Sequence, residues 1–217
     1  MKTDAQLQQD VTAELKWEPD ISATRIGVEV NKGVVTLAGH VDSYAEKWNA
    51  ERAALRVAGV MALTMELEVR LPGASQRGDA DIARSIENAL AWTTSVPPGQ
   101  VKVVVEKGWV TLSGQLEWGY QRDSAAMVVR HLLGVVGVGN DIAITPKLSL
   151  NAVKADIEAA LTRHAHADAT RISVAINGAE VTLSGKVDNW NEREVAQRSA
   201  WSTPGVRNVI DNITIAY

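Results

Sequence analysis

Apolar residues recur along this chain in two rhythms, and the pair of rhythms is written three times. Leu7, Val11 and Leu15 stand four residues apart, as do Ile82, Ile86 and Leu90, and Val153, Ile157 and Leu161. That spacing is one face of a short helix. Alternation follows each time, at Ile26, Val28 and Val30, at Val101, Val103 and Val105, and at Ile172, Val174 and Ile176. Alternating β-branched residues predict a half-buried strand. The tight turns NKG, EKG and NGA lead into a second strand. It directs Val35 and Leu37, Val110 and Leu112, and Val181 and Leu183 inward.

A second helix comes next, with a core stripe of small residues: Ala50 and Ala54, Ala125 and Val129, Ala196 and Ala200. Small side chains let a helix lie close to a sheet. A capping box opens it in two copies, Ser43 with Glu46 and Asn189 with Glu192, while Trp118 and Gln121 make a weaker cap in the middle copy. A last strand carries Leu63, Leu67 and Val69, then Val138, Ile142 and Ile144, then Val209, Ile213 and Ile215.

The glycine of TL[AS]G, at Gly39, Gly114 and Gly185, sets the three copies in register without an internal gap. Gly59, Gly134 and Gly205 follow at one common interval and suit left-handed helix ends. The predicted fold is α+β: three tandem αββαβ domains, each a three-stranded mixed sheet with two helices on one face. Their boundaries are 4–70, 79–145 and 149–217. A right-handed crossover makes the last strand parallel to the second. The linkers are RLPGASQRG and the shorter TPKLS, so the second and third copies are expected to be held closer than the first and second.

Composition narrows the function. The 217 residues include no Cys, which removes disulfides, thiolate zinc sites and thiol nucleophiles. A net charge of −4 argues against nucleic acid as a partner. MKTDAQLQQD lacks a basic stretch before an apolar run, and no apolar run reaches the ~18 residues of a membrane span. The expected location is cytoplasmic, with the periplasm as the alternative if the sequence is that of a mature chain whose leader has been removed.

Little in the chain supports catalysis. The glycines fit neither GxGxxG nor a phosphate loop and are read as structural, in turns and helix caps. Of four histidines only His164 and His166 cluster, without a third ligand, so no metal site is expected. No G-x-S-x-G elbow is present. Asp42, Glu117 and Asp188, acidic in every copy, precede the second helix and favour its positive end rather than a cation. The expectation is a protein without catalytic residues or cofactor.

The aromatic inventory is unusual, with seven Trp and no Phe. Trp17 and Trp92 are equivalent, just past the first helix, and are expected to lid the core. Trp109 occupies an outward strand position whose face also carries Val104 and Ala143, which suggests a face covered by a neighbouring repeat. Tyr44, Trp118, Tyr120 and Trp190 cluster where the second strand hands over to the second helix, and Trp48 and Trp201 lie on that helix. Tyr and Trp suit interfaces because each joins an apolar body to a polar tip. These positions either pack repeat on repeat or face a partner. Tyr44, Trp48, Trp118, Tyr120 and Trp190, with the nearby Arg122 and Arg193, form the candidate binding set for a phospholipid surface or a membrane-associated protein. Net charge by copy is −5 for 4–69, −2 for 79–144 and −1 for 150–215, so an anionic bilayer repels the first copy most.

The order VxVxxGxVTLxG, a helix, and a GVxxVxNxxxV-like ending resembles the BON domain family, in three copies over almost the whole chain. The matching positions include Gly33, Gly39 and Gly59; Gly108, Gly114 and Gly134; and Gly185 and Gly205. Leu63, Val138 and Val209 open the ending, with Asn140 and Asp211 two residues later and Met65 as the departure in copy one. In copy three Ala179 replaces the turn glycine. The resemblance implies αββαβ domains, no enzymatic activity, and an association with envelope stress and phospholipid surfaces. The rival reading is a soluble protein that responds to a cation or small ligand through carboxylates between domains.

Overall fold

The computed structural model describes residues 2–145, 172–177, 180–203, 206 and 208–215. The first repeat runs α1 (Asp4–Trp17), β1 (Ile26–Asn31), β2 (Val34–Val41), α2 (Tyr44–Arg56), β3 (Ala62–Val69). The second runs α3 (Asp79–Ala91), β4 (Val101–Glu106), β5 (Trp109–Leu116), α4 (Gly119–Arg130), β6 (Gly137–Ile144). The third shows β7 (Ile172–Asn177), β8 (Glu180–Val187), α5 (Trp190–Trp201) and β9 (Asn208–Ile215). Its first helix, with Val153, Ile157 and Leu161, and its histidine pair fall outside the described residues, as does Gly205.

Each repeat closes its own three-stranded sheet, with the second strand central. β4–β5 and β7–β8 are antiparallel hairpins; β5–β6 and β8–β9 are parallel, as the crossover rule requires. The sheets are therefore mixed, and the α+β architecture of three tandem αββαβ units holds. Leu37, Leu112 and Leu183 are completely buried at equivalent positions. The described residues of Met1–Gly39, Asn49–Glu66 and Leu148–Tyr217 group in one compact unit, and those of His40–Trp48 and Leu67–Lys147 in another.

The glycines of TL[AS]G have a more specific cause than a turn or a cap. Gly39, Gly114 and Gly185 each sit inside the central strand, opposite the first residue of the preceding one. Their φ values are 130°, 138° and 143°. A Cβ on Gly39 would lie 2.2 Å from the Arg25 carbonyl oxygen, and one on Gly114 only 2.0 Å from that of Gln100. At Gly39 and Gly114 the positive φ and the carbonyl of the residue just before the neighbouring strand leave no room for a side chain.

Trp17 and Trp92 do not lid the core. They are 83% and 88% exposed. The last core positions of their helices are Leu15 and Leu90, each two residues earlier. Ile21 and Val96, four residues beyond each Trp, close the core instead.

Candidate binding surface

Each second helix starts through side-chain chemistry. In the first repeat Ser43 Oγ accepts the Glu46 N–H at 3.0 Å, and Glu46 Oε2 accepts the Asp42 N–H at 2.8 Å. Asn189 and Glu192 repeat this, at 2.9 Å to the Glu192 N–H and 2.9 Å from the Asp188 N–H. The middle copy keeps half of the box. Gln121 Oε1 accepts the N–H groups of Glu117 and Trp118 at 3.2 and 3.1 Å. Trp118 cannot return the bond, because an indole only donates.

The candidate residues divide into two sets. In one compact unit the Trp190 indole N–H donates to the Val60 carbonyl at 3.1 Å, tying α5 to the turn before β3. Beside it Arg52 of α2 meets Glu194 of α5 at 2.5 Å. The Arg193 guanidinium lies 5.0 Å from the Trp190 ring centre and pairs with Asp211 at 2.5 Å. In the other unit the Arg130 guanidinium stacks 3.6 Å above Trp48. Tyr44 packs against the core of the second repeat. Tyr44, Trp48, Trp190 and Arg193 therefore serve contacts within the protein.

Trp118 and Tyr120 are differently placed. Their rings are 6.4 Å apart, tilted by 35°. Tyr120 is 46% exposed and Trp118 half-buried. Arg122, one turn on, lies 3.4 Å from Asp123. Met127 and Leu133 extend the exposed apolar surface along and past α4, at positions occupied by Arg52 and Ala58 in the first repeat. Neither residue stands out in the sequence, because single exposed aliphatic side chains on a helix leave no periodic pattern. Trp109 and Val104 on the sheet face are both more than half exposed.

Two polar devices hold this scaffold. Asp79 accepts the N–H groups of Lys107 and Gly108, and Asp4 those of Lys32 and Gly33, clamping the first helix to the hairpin turn. The family-pattern residue Asn140 donates to the Arg122 carbonyl at 3.2 Å, and Asp211 accepts from Arg193 and Gln197, so each fastens the last strand to the second helix. Arg56 is held by Glu14 and by Glu18; burial works against its charge, but these bonds raise its pKa further above the usual arginine value. Among the described residues no group of three or more histidines and carboxylates is placed to hold a metal ion.

Comparison with known proteins supplies the family. The BON domain matches residues 3–70, 78–146 and 149–217. Osmotically-inducible protein Y of Escherichia coli (strain K12) is 33% identical over 143 residues, covering 64% of this chain and 71% of that protein. Outer membrane lipoprotein DolP of Haemophilus influenzae is 26% identical over 165 residues, covering 73% of this chain and 84% of that protein. CdsD, described as a structural protein of the Type III secretion system of Chlamydia trachomatis, aligns over 97% of this chain and 92% of its own at 16% identity. The TM-score is 0.27. With the family pattern matched three times over nearly the full length, this chain belongs to the BON domain family.

Proposed function

We propose that this chain is a non-enzymatic, stress-related envelope protein that touches phospholipid surfaces reversibly through its second repeat, residues 79–145. One observation carries the reading. Away from the open sheet face, four large apolar side chains stand exposed in that repeat, at Trp92, Tyr120, Met127 and Leu133, against two in the first repeat, at Trp17 and Met61. The second repeat is also the less acidic of the two, at −2 against −5. An anionic bilayer rewards that combination, since apolar burial contributes while repulsion is small.

Within the surface Trp118 and Tyr120 supply amphipathic rings and Arg122 a cation, while Trp92 projects from the end of α3. Tyr44 and Trp48 of the first repeat and Trp190 and Trp201 of the third are given to internal packing. The descriptions of the two relatives, one osmotically inducible and one an outer membrane lipoprotein, support an envelope role and favour a periplasmic over a cytoplasmic location. The proposed domain boundaries are 4–70, 79–145 and 149–217, beside family matches at 3–70, 78–146 and 149–217. Co-sedimentation of the full chain with vesicles of phosphatidylethanolamine and phosphatidylglycerol tests the reading. Pelleting that persists or grows as salt screens the repulsion supports it; a chain that stays in the supernatant at every salt concentration sinks it.

A further inference from the structure

The open face of the sheet in the second repeat carries an arrangement that its sister repeats lack. Trp109 begins β5 and pairs with Gly137 on β6, and Thr111 pairs with Gly139. The indole does not stand up from the sheet. It lies on Gly137, where an added Cβ would sit 2.3 Å from ring atoms Cε3 and Cζ3. The indole Nε1 reaches over Gly139, 3.6 Å from where that residue's Cβ would be. One face of the ring is thus pressed on bare backbone, yet the residue remains 52% exposed.

The glycines and the ring occur together. At the positions of Trp109, Gly137 and Gly139 the first repeat has Val34, Ala62 and Thr64, and the third has Glu180, Asn208 and Ile210. Glycine weakens a strand and in a strand interior marks close approach of another group. Here the indole makes that approach, and its second face is offered to solvent as a flat shelf.

The shelf has a polar border. Thr111 and Ser113 follow on β5, Lys102 and Glu106 point outward on β4, and Asp141 on β6. Val104 is the other large apolar side chain exposed on this face. We propose that this face binds an equatorially linked polysaccharide, a β-1,4 pyranose chain, with one sugar ring stacked on Trp109. A pyranose with equatorial hydroxyls has an apolar face of axial C–H bonds and a rim of donors and acceptors. The indole fits that face and the border fits that rim. A β-1,4 chain is a flat ribbon, matched to a flat sheet. A bilayer is a poor occupant, because a ring lying flat projects nothing into the acyl region and the border is charged. A stable protein partner needs roughly 1,000 Å² of interface, and the apolar part here is one ring and one valine.

The test is an NMR titration of the full chain, reading the indole N–H resonances of its seven tryptophans. The Trp109 resonance is the one missing from the Trp109→Val variant, which carries the residue the first repeat has. Titration with cellotetraose and with tetra-N-acetylchitotetraose is expected to move that resonance for at least one of them, with a Kd of about 1 mM. Maltotetraose, whose α-linkages curl the chain, binds about tenfold more weakly. Gly137→Ala, which lifts the ring, weakens binding about fivefold or more. Three results overturn the proposal: no movement with either β-1,4 tetramer up to about 20 mM, equal binding by Trp109→Val, or a resonance that moves with protein concentration alone and so reports a second copy on this face.

Discussion

Asp79, the first residue of α3, accepts the backbone N–H of Gly108 at 2.9 Å, 29 positions along the chain. The neighbouring Lys107 N–H is held by the same carboxylate at 2.8 Å. Lys107 and Gly108 form the hairpin turn with φ of 52° and 77°. The carboxylate thus fixes a turn that L-residues resist and anchors the helix to it. Asp79→Ala is expected to destabilise the second repeat by about 1–3 kcal/mol, because two charge-assisted bonds are lost. Asp79→Asn loses less. Thermal denaturation checks this; equal midpoints for wild type and Asp79→Ala would contradict it.

The two glycines near the first hairpin strand of the second repeat should tolerate alanine very differently. Gly114→Ala places a Cβ against the Gln100 carbonyl at φ 138° and should cost about 3 kcal/mol or more. Gly99→Ala, at φ 75° with nothing within 4 Å, should cost only about 1–2 kcal/mol. Urea midpoints of the two variants decide it; equal losses would show that the carbonyl contact is not the cause.

Trp190 and Tyr120 occupy adjacent positions of the helix-start pattern in sister repeats but should respond oppositely. Trp190→Phe removes the donor to Val60 and should cost about 1 kcal/mol, with Trp190→Ala costing about 3. Tyr120→Ala, at an exposed site, should stay within about 0.5 kcal/mol of wild type. A Trp190→Ala variant that melts with the wild type would remove that indole from the packing set.

The fold was legible because the unit is written three times. Leu37, Leu112 and Leu183 could be placed in cores by comparing copies, and the parallel last strand follows from chain handedness. What copies share, however, cannot show what one copy does alone. Trp17 and Trp92 agree in position, and that agreement suggested a core role; only geometry shows that Ile21 and Val96 close the core. Linker length pointed to the second and third repeats as the closer pair. Described residues of the third repeat group with most of the first, through contacts such as Trp190 with Val60 and Arg52 with Glu194. A short linker bounds distance without choosing a surface. The Asp79 clamp leaves a trace in sequence, since Asp4 matches it, but a lone acidic residue at a helix start reads equally well as a dipole partner.

The central claim is that the second repeat is the lipid-contacting copy, and paired variants in vesicle co-sedimentation test it most directly. Trp92→Ala with Tyr120→Ala removes two exposed rings from the second repeat, and Trp17→Ala removes the matching ring from the first. None of the three supports a core, so thermal midpoints should shift by no more than about 0.5 kcal/mol-equivalent. The account predicts that the double variant loses about tenfold or more of its affinity for phosphatidylglycerol-containing vesicles, while Trp17→Ala binds as the wild type does. Undiminished pelleting of the double variant, or an equal loss in Trp17→Ala, would contradict it.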